Sequence, residues 1–161
     1  MLRVEAAITT SGYNMPRKKI VVNLAPADIR KEGSSYDLAI AIGILAASGQ
    51  VQSEVLEKYV ILGEVSLDGG LQSVKGALPI AIQARKEGFE GIIISKQNAR
   101  EAAIVSGINV YGMDNLRDVI AFFNDDEKPP VTIVDTREEF FNKINNYESD
   151  FSDVKGQENI K

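Results

Sequence analysis

The stretch SSYDLAIAIGILAA, residues 34–47, decides the architecture of this chain. From Leu38 to Ala47 every residue is apolar or glycine, which predicts a helix that is hydrophobic nearly all round and therefore central and buried. Ser34 and Asp37 stand three residues apart just before this run, the spacing of a capping box with Asp in place of Glu. Gly49 is well placed to end the helix.

The sequence around this helix predicts alternating strands and helices. β-Branched and apolar runs predict strands at 19–24, 59–67, 91–95 and 108–111, and Asp68-Gly69 predicts a hairpin turn with a return strand at 70–74. Further helices are predicted at 2–10, 76–86, 98–105 and 115–123, with an edge strand at 131–134 and a helix at 137–144 in the tail. The alternation indicates an α/β (α+β) fold with parallel strand pairs.

The composition excludes several kinds of chemistry. The chain has 161 residues and no Cys, His or Trp, so a disulfide framework, a thiolate nucleophile and a Ser-His-Asp triad are all ruled out. Any catalysis would depend on carboxylates, Lys, Tyr or Ser. No apolar run has membrane-spanning length and no signal pattern opens the chain, so we expect a cytoplasmic protein without membrane contact.

The net charge of -5 lies in the last part of the chain. Residues 1–123 contain 13 basic and 13 acidic residues, whereas residues 124–161 contain 5 basic and 10 acidic ones. The shift begins at the polar, proline-closed stretch NDDEKPP, 124–130. The sequence therefore predicts a domain at 1–123 and an acidic linker at 124–161.

Phosphate-binding motifs are absent from the sequence. Neither G-x-x-x-x-G-K-[ST] nor G-x-G-x-x-G occurs, so the chain has no P-loop of its own. The two basic clusters, 17–19 and 30–31, are either nucleic-acid contacts or ordinary surface charge.

Three stretches together resemble a known family. They are residues 23–38, residues 43–49 together with 62–69, and residues 151–158. In this order they resemble the N-terminal region of magnesium-chelatase-like AAA+ ATPases of the ComM/YifB family. The resemblance implies a Lon protease-like fold, also described as ribosomal protein S5 domain 2-like, with helices packed on a mixed sheet. It also implies a following ATPase module, hexameric rings and, in the ComM branch, DNA branch migration.

The resemblance also bears on cofactors and on the extent of the chain. Residues 151–157 resemble the segment that lines the adenine pocket in related ATPases, so Val154 and Gly156 would contact ATP only together with the missing module. We expect no cofactor in this fragment, and ATP with Mg in the full-length protein. Family members have earlier strands and a later P-loop, so we expect a fragment that lacks the opening strands and the motor.

A Lon-like fold raises the question of a Ser-Lys peptidase. By resemblance, Ser35 falls on the nucleophile position before the buried helix. Counted from Gly63-Glu64, the position of the catalytic Lys is occupied by Leu78, and the nearest lysine, Lys75, lies three residues earlier, about 4.5 Å along a helix. Proton transfer requires contact at about 3 Å, so Lys75 is a poor base and Ser35 reads as a vestigial nucleophile.

The side chains in this region have simpler predicted roles. We predict that Ser34 and Ser35 cap the helix, that Tyr36 and Asp37 serve packing and capping, and that Glu64 satisfies backbone or basic neighbours.

The sequence thus predicts a non-catalytic N-terminal domain that assists ring assembly or DNA/substrate engagement. Its expected partners are its own AAA+ module, neighbouring ring subunits and DNA, and the full-length protein would be the ATP-hydrolysing motor. Two alternatives stay open: a Lon-like Ser-Lys peptidase domain, and a stand-alone scaffold that binds a protein or nucleic-acid partner.

Overall fold

The structure is a computed structural model that describes residues 2–24, 34–125 and 128–134. Over these residues the chain forms, in order, α1 (Leu2–Thr10), α2 (Asp37–Ala47), β1 (Tyr59–Ile61), β2 (Glu64–Val65), β3 (Leu71–Gln72), α3 (Ala77–Lys86), β4 (Gly91–Ser95), α4 (Lys96–Ala103), β5 (Asn109–Met113) and α5 (Leu116–Asn124). A single 3-10 turn, Leu56–Lys58, leads into β1. No helix among the described ranges is long and apolar enough to cross a membrane.

A three-stranded parallel sheet in the order β1-β4-β5 forms the centre of the fold. The middle strand, β4, reads GIIIS and is buried at all five positions, as expected for a parallel strand covered on both faces. Gly91 opens β4 where space is short, because a Cβ there would lie 3.0 Å from the Asn109 carbonyl oxygen and 3.1 Å from each of two tyrosine rings.

The two faces of this sheet carry different helices because side chains alternate along β4. Ile93 belongs to a core cluster with α1, α2 and α5. Ile92 and Ile94 belong to a second cluster with α3 and α4. The predicted α/β class with parallel pairs is therefore confirmed. Among the residues that the structure describes, the parallel and antiparallel pairs lie in two separate sheets rather than in one mixed sheet, since β2 and β3 form their own hairpin.

Capping residues determine where helices α4 and α5, in the second half of the chain, begin. Asn115 caps α5 with a complete capping box, in which its side chain accepts from the Asp118 amide. Helix α4 begins at Lys96, two residues before the predicted start, because the Ser95 hydroxyl accepts the Gln97 amide and acts as the N-cap. Arg117 of α5 donates to the carbonyls of Thr10 and Ser11 and so satisfies the C-terminal end of α1.

The predicted strand at 59–67 is wrong in its extent. The chain leaves the parallel sheet after Ile61 and enters the hairpin at Glu64, so β1 and β2 belong to different sheets. Gly63 lies between them and bonds through its backbone to the start of α2 instead of to a neighbouring strand. A pattern of apolar residues cannot show this change of partner.

The predicted strand at 19–24 is also wrong. These residues are described but have no regular structure, because no described segment forms a ladder with them. The predicted edge strand at 131–134 makes one backbone bond, from the Thr132 amide to the Val110 carbonyl at 2.7 Å, and is likewise not a strand. The predicted helix at 137–144 lies outside the described residues.

Helix α2 departs from the prediction that it is buried all round. Its inner face is buried, with Leu38, Ala41 and Leu45 inaccessible to solvent. Gly43 and Ala47 are exposed and Ile40 is half-buried on the opposite face. The helix thus covers the sheet with one apolar face and leaves the other open.

Candidate functional site

The start of α2 is joined to the β1–β2 connection through backbone hydrogen bonds. The Leu38 amide donates to the Gly63 carbonyl at 3.0 Å, and the Gly63 amide donates to the Ser35 carbonyl at 2.9 Å. A Cβ on Gly63 would lie 3.2 Å from Leu38 Cδ2, so the two segments approach closely. This contact fixes Ser35 beside the strand that carries Glu64.

Four polar side chains meet next to this contact and form what we call the Arg3 cluster: Arg3, Ser34, Asp37 and Glu64. Arg3 Nε donates to Asp37 Oδ2 at 2.7 Å, and Arg3 Nη1 donates to Glu64 Oε1 at 3.2 Å. The Ser34 hydroxyl donates to the other Glu64 oxygen, Oε2. Both carboxylates are therefore held by donors, and the Asp37 side chain, 14% exposed, is more enclosed than that of Glu64, 34% exposed.

The predicted capping by Ser34 and Ser35 is wrong. The N-cap residue is Tyr36, and no side chain caps α2. The Ser34 hydroxyl is taken by Glu64, while its carbonyl accepts the Asp37 amide. Since the Gly63 carbonyl accepts the Leu38 amide, the backbone of the β1–β2 connection satisfies a donor that a capping side chain would otherwise bond. The prediction that Glu64 satisfies a basic neighbour agrees with its contact to Arg3.

The serine and the lysine of the predicted dyad lie at the starts of helices on opposite sheet faces. Ser35 precedes α2, which packs in the first core cluster, and Lys75 precedes α3, which packs in the second. Within the described part of the chain, no hydrogen bond joins their side chains, and neither makes a side-chain hydrogen bond or ion pair with any other residue.

Leu78 occupies the position counted for the base, and its surroundings are apolar. Its side chain is half-buried and packs against the second core cluster, which includes Leu62. Its backbone amide donates to Glu101 Oε1 at 3.1 Å. The side chain at this position can therefore contribute packing but no proton transfer.

The β2–β3 hairpin next to the Arg3 cluster carries an ordered turn. Asp68 Oδ1 accepts from the Ser66 hydroxyl at 2.5 Å and from the Gly70 amide at 3.1 Å. The Ser66 hydroxyl first, and then the Gly70 amide, lower the pKa of the Asp68 carboxyl because both bond to its charged form. Gly69 has a φ of 87°, a left-handed conformation that favours glycine at this turn.

Three adjacent cations, Arg17, Lys18 and Lys19, lie exposed on the segment that follows α1. Across the ranges that the structure describes, none of them has an ion-pair partner. The second basic cluster of the sequence, 30–31, lies outside the described residues.

Comparison of the sequence with known proteins identifies the family to which the chain belongs. The family model described as "Subunit ChlI of Mg-chelatase" matches residues 1–98. Competence protein ComM of Haemophilus influenzae is 42% identical over 159 residues, which cover 99% of this chain and 31% of the relative. YifB of Escherichia coli is 42% identical over 162 residues, covering 99% of this chain and 30% of the relative. The chain belongs to the magnesium-chelatase-like ComM/YifB family.

Although nearly all of this ComM/YifB-family chain is matched, it spans only about a third of the length of these curated relatives. Lon protease 1 of Borreliella burgdorferi is a more distant relative, 33% identical over 95 residues, which cover 56% of this chain and 12% of the protease. This similarity agrees with a Lon-like fold for the domain.

Several residues named for this region lie outside the described residues or depend on contacts that are distant in sequence. Val154 and Gly156, predicted from family resemblance to contact adenine, lie outside the described residues. Arg3 was missed at the sequence level, because its partners lie 34 and 61 positions away and no local pattern links them. Asn98 was also missed: its side chain is buried and bonds both the amide and the carbonyl of Val74. A polar residue on the apolar face of α4 is a signal that could have indicated it.

Proposed function

We propose that this chain is the non-catalytic, Lon-like N-terminal domain of a magnesium-chelatase-like AAA+ ATPase, and that it assists ring assembly or the engagement of DNA. The observation that carries the proposal is Leu78, an apolar side chain packed against the core where a Ser-Lys peptidase needs its base. Without a base, the Ser35 hydroxyl is a weak nucleophile.

The carboxylates beside Ser35 do not replace the missing base. Asp37 and Glu64 both accept from the Arg3 guanidinium, and Glu64 also accepts from Ser34. Both carboxylates are therefore engaged with other donors, and within the described residues neither makes a hydrogen bond with the Ser35 hydroxyl. The Arg3 cluster thus supports a structural role for this corner of the fold.

ATP and Mg belong, in this proposal, to the AAA+ module of the full-length protein and not to the described domain. Val154 and Gly156 would reach the adenine only when that module is present. The ATP-hydrolysing activity and the ring of subunits are likewise proposed for the longer protein, three times the length of this chain in its relatives.

DNA engagement is proposed through the cations at 17–19. They are contiguous, exposed and, within the described residues, without carboxylate partners, so they are free to meet phosphates. The relative from Haemophilus influenzae carries the name of a competence protein. The rest of the described surface gives no similar run of unpaired cations.

A salt series tests this contact. We expect the chain to bind single-stranded and branched DNA at low salt, with an affinity that falls as salt rises, because Lys and Arg release counterions from phosphates. The double variant Lys18→Gln/Lys19→Gln should weaken binding and flatten the salt slope by about 2. Fluorescence anisotropy of labelled DNA measures both.

The matched control removes two cations elsewhere. Lys75→Gln/Lys86→Gln changes the net charge equally but leaves 17–19 intact, and it should bind as the unaltered chain does. Equal losses in the two double variants, or no binding at low salt, would refute the DNA contact at this segment.

A Ser-Lys peptidase is the second candidate. It is favoured by the similarity to Lon protease 1 and by the Ser35 hydroxyl, whose side chain makes no hydrogen bond to the described residues. It requires a hydrogen bond between Lys75 and Ser35, which is absent among the described residues.

A further inference from the structure

The seven residues 128–134 follow α5 and lie against the domain, and we call them the arm. Among the described residues, β5 has β4 along one edge and the arm along the other. The Thr132 amide donates to the Val110 carbonyl at 2.7 Å, and a Cβ on Gly112 would lie 3.5 Å from the Thr132 hydroxyl oxygen. The arm therefore passes beside β5 without becoming a strand of the sheet.

Lys128 anchors the start of the arm to α5. Its ammonium group donates to the Phe122 carbonyl and lies 4.1 Å from the centre of the Phe122 ring. Helix α5 has no basic residue in its last turn, so Lys128 supplies from outside the helix the cation that its C-terminal end favours. The arm is thus tied to the helix before it as well as to β5.

The middle of the arm is held by one apolar contact and stiffened by two prolines. Val131 is half-buried and packs against the first core cluster. Pro129 and Pro130 have no amide hydrogen and restrict the backbone to extended conformations, which reduces the entropy that the arm loses on docking. Ile133 is 85% exposed. One face of the arm therefore contacts the domain and the other faces solvent.

The contacts of the arm are few beside those of the sheet that it lies on. Strand β4 is buried at all five positions and is paired with a strand on each edge. Open grooves lie on both sides of the arm, one lined by Asp118 and Ala121 of α5 and the other by Ile104 and Ser106 after α4. A segment with few buried contacts opens at a lower free energy than the fold as a whole.

We propose that the arm is a strap that docks and undocks as a unit while the sheet and the helices stay folded. When it is docked, the chain continues from a fixed point beside β5. When it is released, its seven residues join the free chain and add up to about 23 Å of reach, at about 3.3 Å per residue. The strap thereby sets how far the following part of a longer protein can stand from this domain, whether or not the domain serves ring assembly or DNA engagement.

Hydrogen exchange of the 161-residue chain, followed residue by residue with NMR, tests the strap. We expect the Thr132 amide to be protected, but with a protection factor at least about a hundredfold lower than those of the β4 amides, which exchange through unfolding of the whole domain. Exchange of Thr132 at its intrinsic rate would show that the arm is not docked. Equal protection of Thr132 and β4 would show that the arm does not open separately, and either result would overturn the proposal.

Two arm variants test whether the arm opens as a unit. Val131→Ser removes the contact with the core, and Lys128→Met removes the anchor on α5. Each should lower the protection factor of Thr132 by about three- to tenfold. Far-UV circular dichroism checks that both variants stay folded. An unchanged Thr132 in Lys128→Met would show that the two ends of the arm move independently, which contradicts a single strap.

Ile133→Ser is the matched control for Val131→Ser, because both residues are β-branched neighbours of Thr132 and only Val131 packs against the core. The control should change the protection factor of Thr132 by less than about twofold. Equal losses in the two serine variants would show that the core contact does not hold the arm, and would overturn the proposal.

A variant in the core separates opening of the arm from unfolding of the domain. Ile92 is fully buried in the second core cluster, so Ile92→Val should lower the protection of the β4 amides by about threefold or more. The protection factor of Thr132 should stay within about twofold of its value in the unaltered chain, because release of the arm leaves this cluster packed. A fall at Thr132 in the same proportion as in β4 would mean that the arm opens only when the domain unfolds.

Discussion

Arg3 connects three parts of the chain that are distant in sequence. It stands on α1, bonds Asp37 at the start of α2 and bonds Glu64 on β2. The Arg3 side chain is 42% exposed and that of Asp37 only 14%, so the pair lies between a surface and a buried ion pair. Its removal leaves an enclosed carboxylate without a cation, which costs more than the loss of an exposed pair.

We expect Arg3→Met to lower the free energy of unfolding by about 1–2 kcal/mol, measured by urea denaturation. Methionine keeps the helix propensity of arginine, so the loss reports on the contacts. Lys96→Met is the control, because the Lys96–Asp114 pair is largely exposed on both sides and should change stability by less than about 0.5 kcal/mol. Equal losses of unfolding free energy in the two variants would show that the Arg3 cluster stabilises the fold no more than an exposed ion pair does.

Asp68 should make the β2–β3 turn sensitive to acid. Its pKa in the folded chain is lowered, so its contribution is fully present above the ordinary aspartate pKa of about 3.9 and is lost as the pH falls through the lowered value. NMR of the Gly70 amide should follow this titration, since that amide donates to Asp68. In Asp68→Asn the titration should vanish; a Gly70 amide that titrates unchanged in that variant would contradict the assignment.

At the scale of elements, the sequence predicted most helices and strands but not what each contacts. The helix predicted at 115–123 agrees with α5 to within one residue at each end, and the structure shows a local capping box at Asn115 that accounts for its start. The strands at 19–24 and 59–67 were predicted wrongly, because β structure depends on a partner strand that local propensity does not show. Helix α2 was predicted to be buried all round because its sequence is apolar, but one of its faces is open, since burial also depends on what packs against the helix.

The contact between β5 and α4 depends on Gly112. A Cβ there would lie 2.7 Å from the Cβ of Ala99 and 3.2 Å from the Cα of Lys96. We expect Gly112→Ala to destabilise the fold by about 1–3 kcal/mol, because backbone and a buried alanine must move apart. Urea denaturation at low protein concentration measures the change.

Gly43→Ala supplies the opposite expectation. A Cβ at Gly43 would meet nothing within 4 Å, and the residue lies inside α2. Alanine there should raise stability by about 0.5–1 kcal/mol through helix propensity. A loss at Gly43 as large as at Gly112 would mean that the close approach of β5 and α4 is not the cause.

At the scale of the whole molecule, the family and the fold class were reached from motif order along the chain, and both are confirmed by the comparisons and the topology. The site was reached only in part. Counting residues put Leu78 at the position of a base, but Arg3 and the use of Ser34 by Glu64 depend on tertiary contacts between α1, α2 and β2. Such contacts leave no local trace in the sequence.

Peptide hydrolysis by the purified chain separates a domain without chemistry from a Ser-Lys peptidase. Unfolded casein is incubated with the chain and with Ser35→Ala, Lys75→Met and Ser34→Ala, and new peptide termini are counted by mass spectrometry. We predict no cleavage above buffer in any of the four. Cleavage that is lost in Ser35→Ala and Lys75→Met but kept in Ser34→Ala would contradict the non-catalytic assignment.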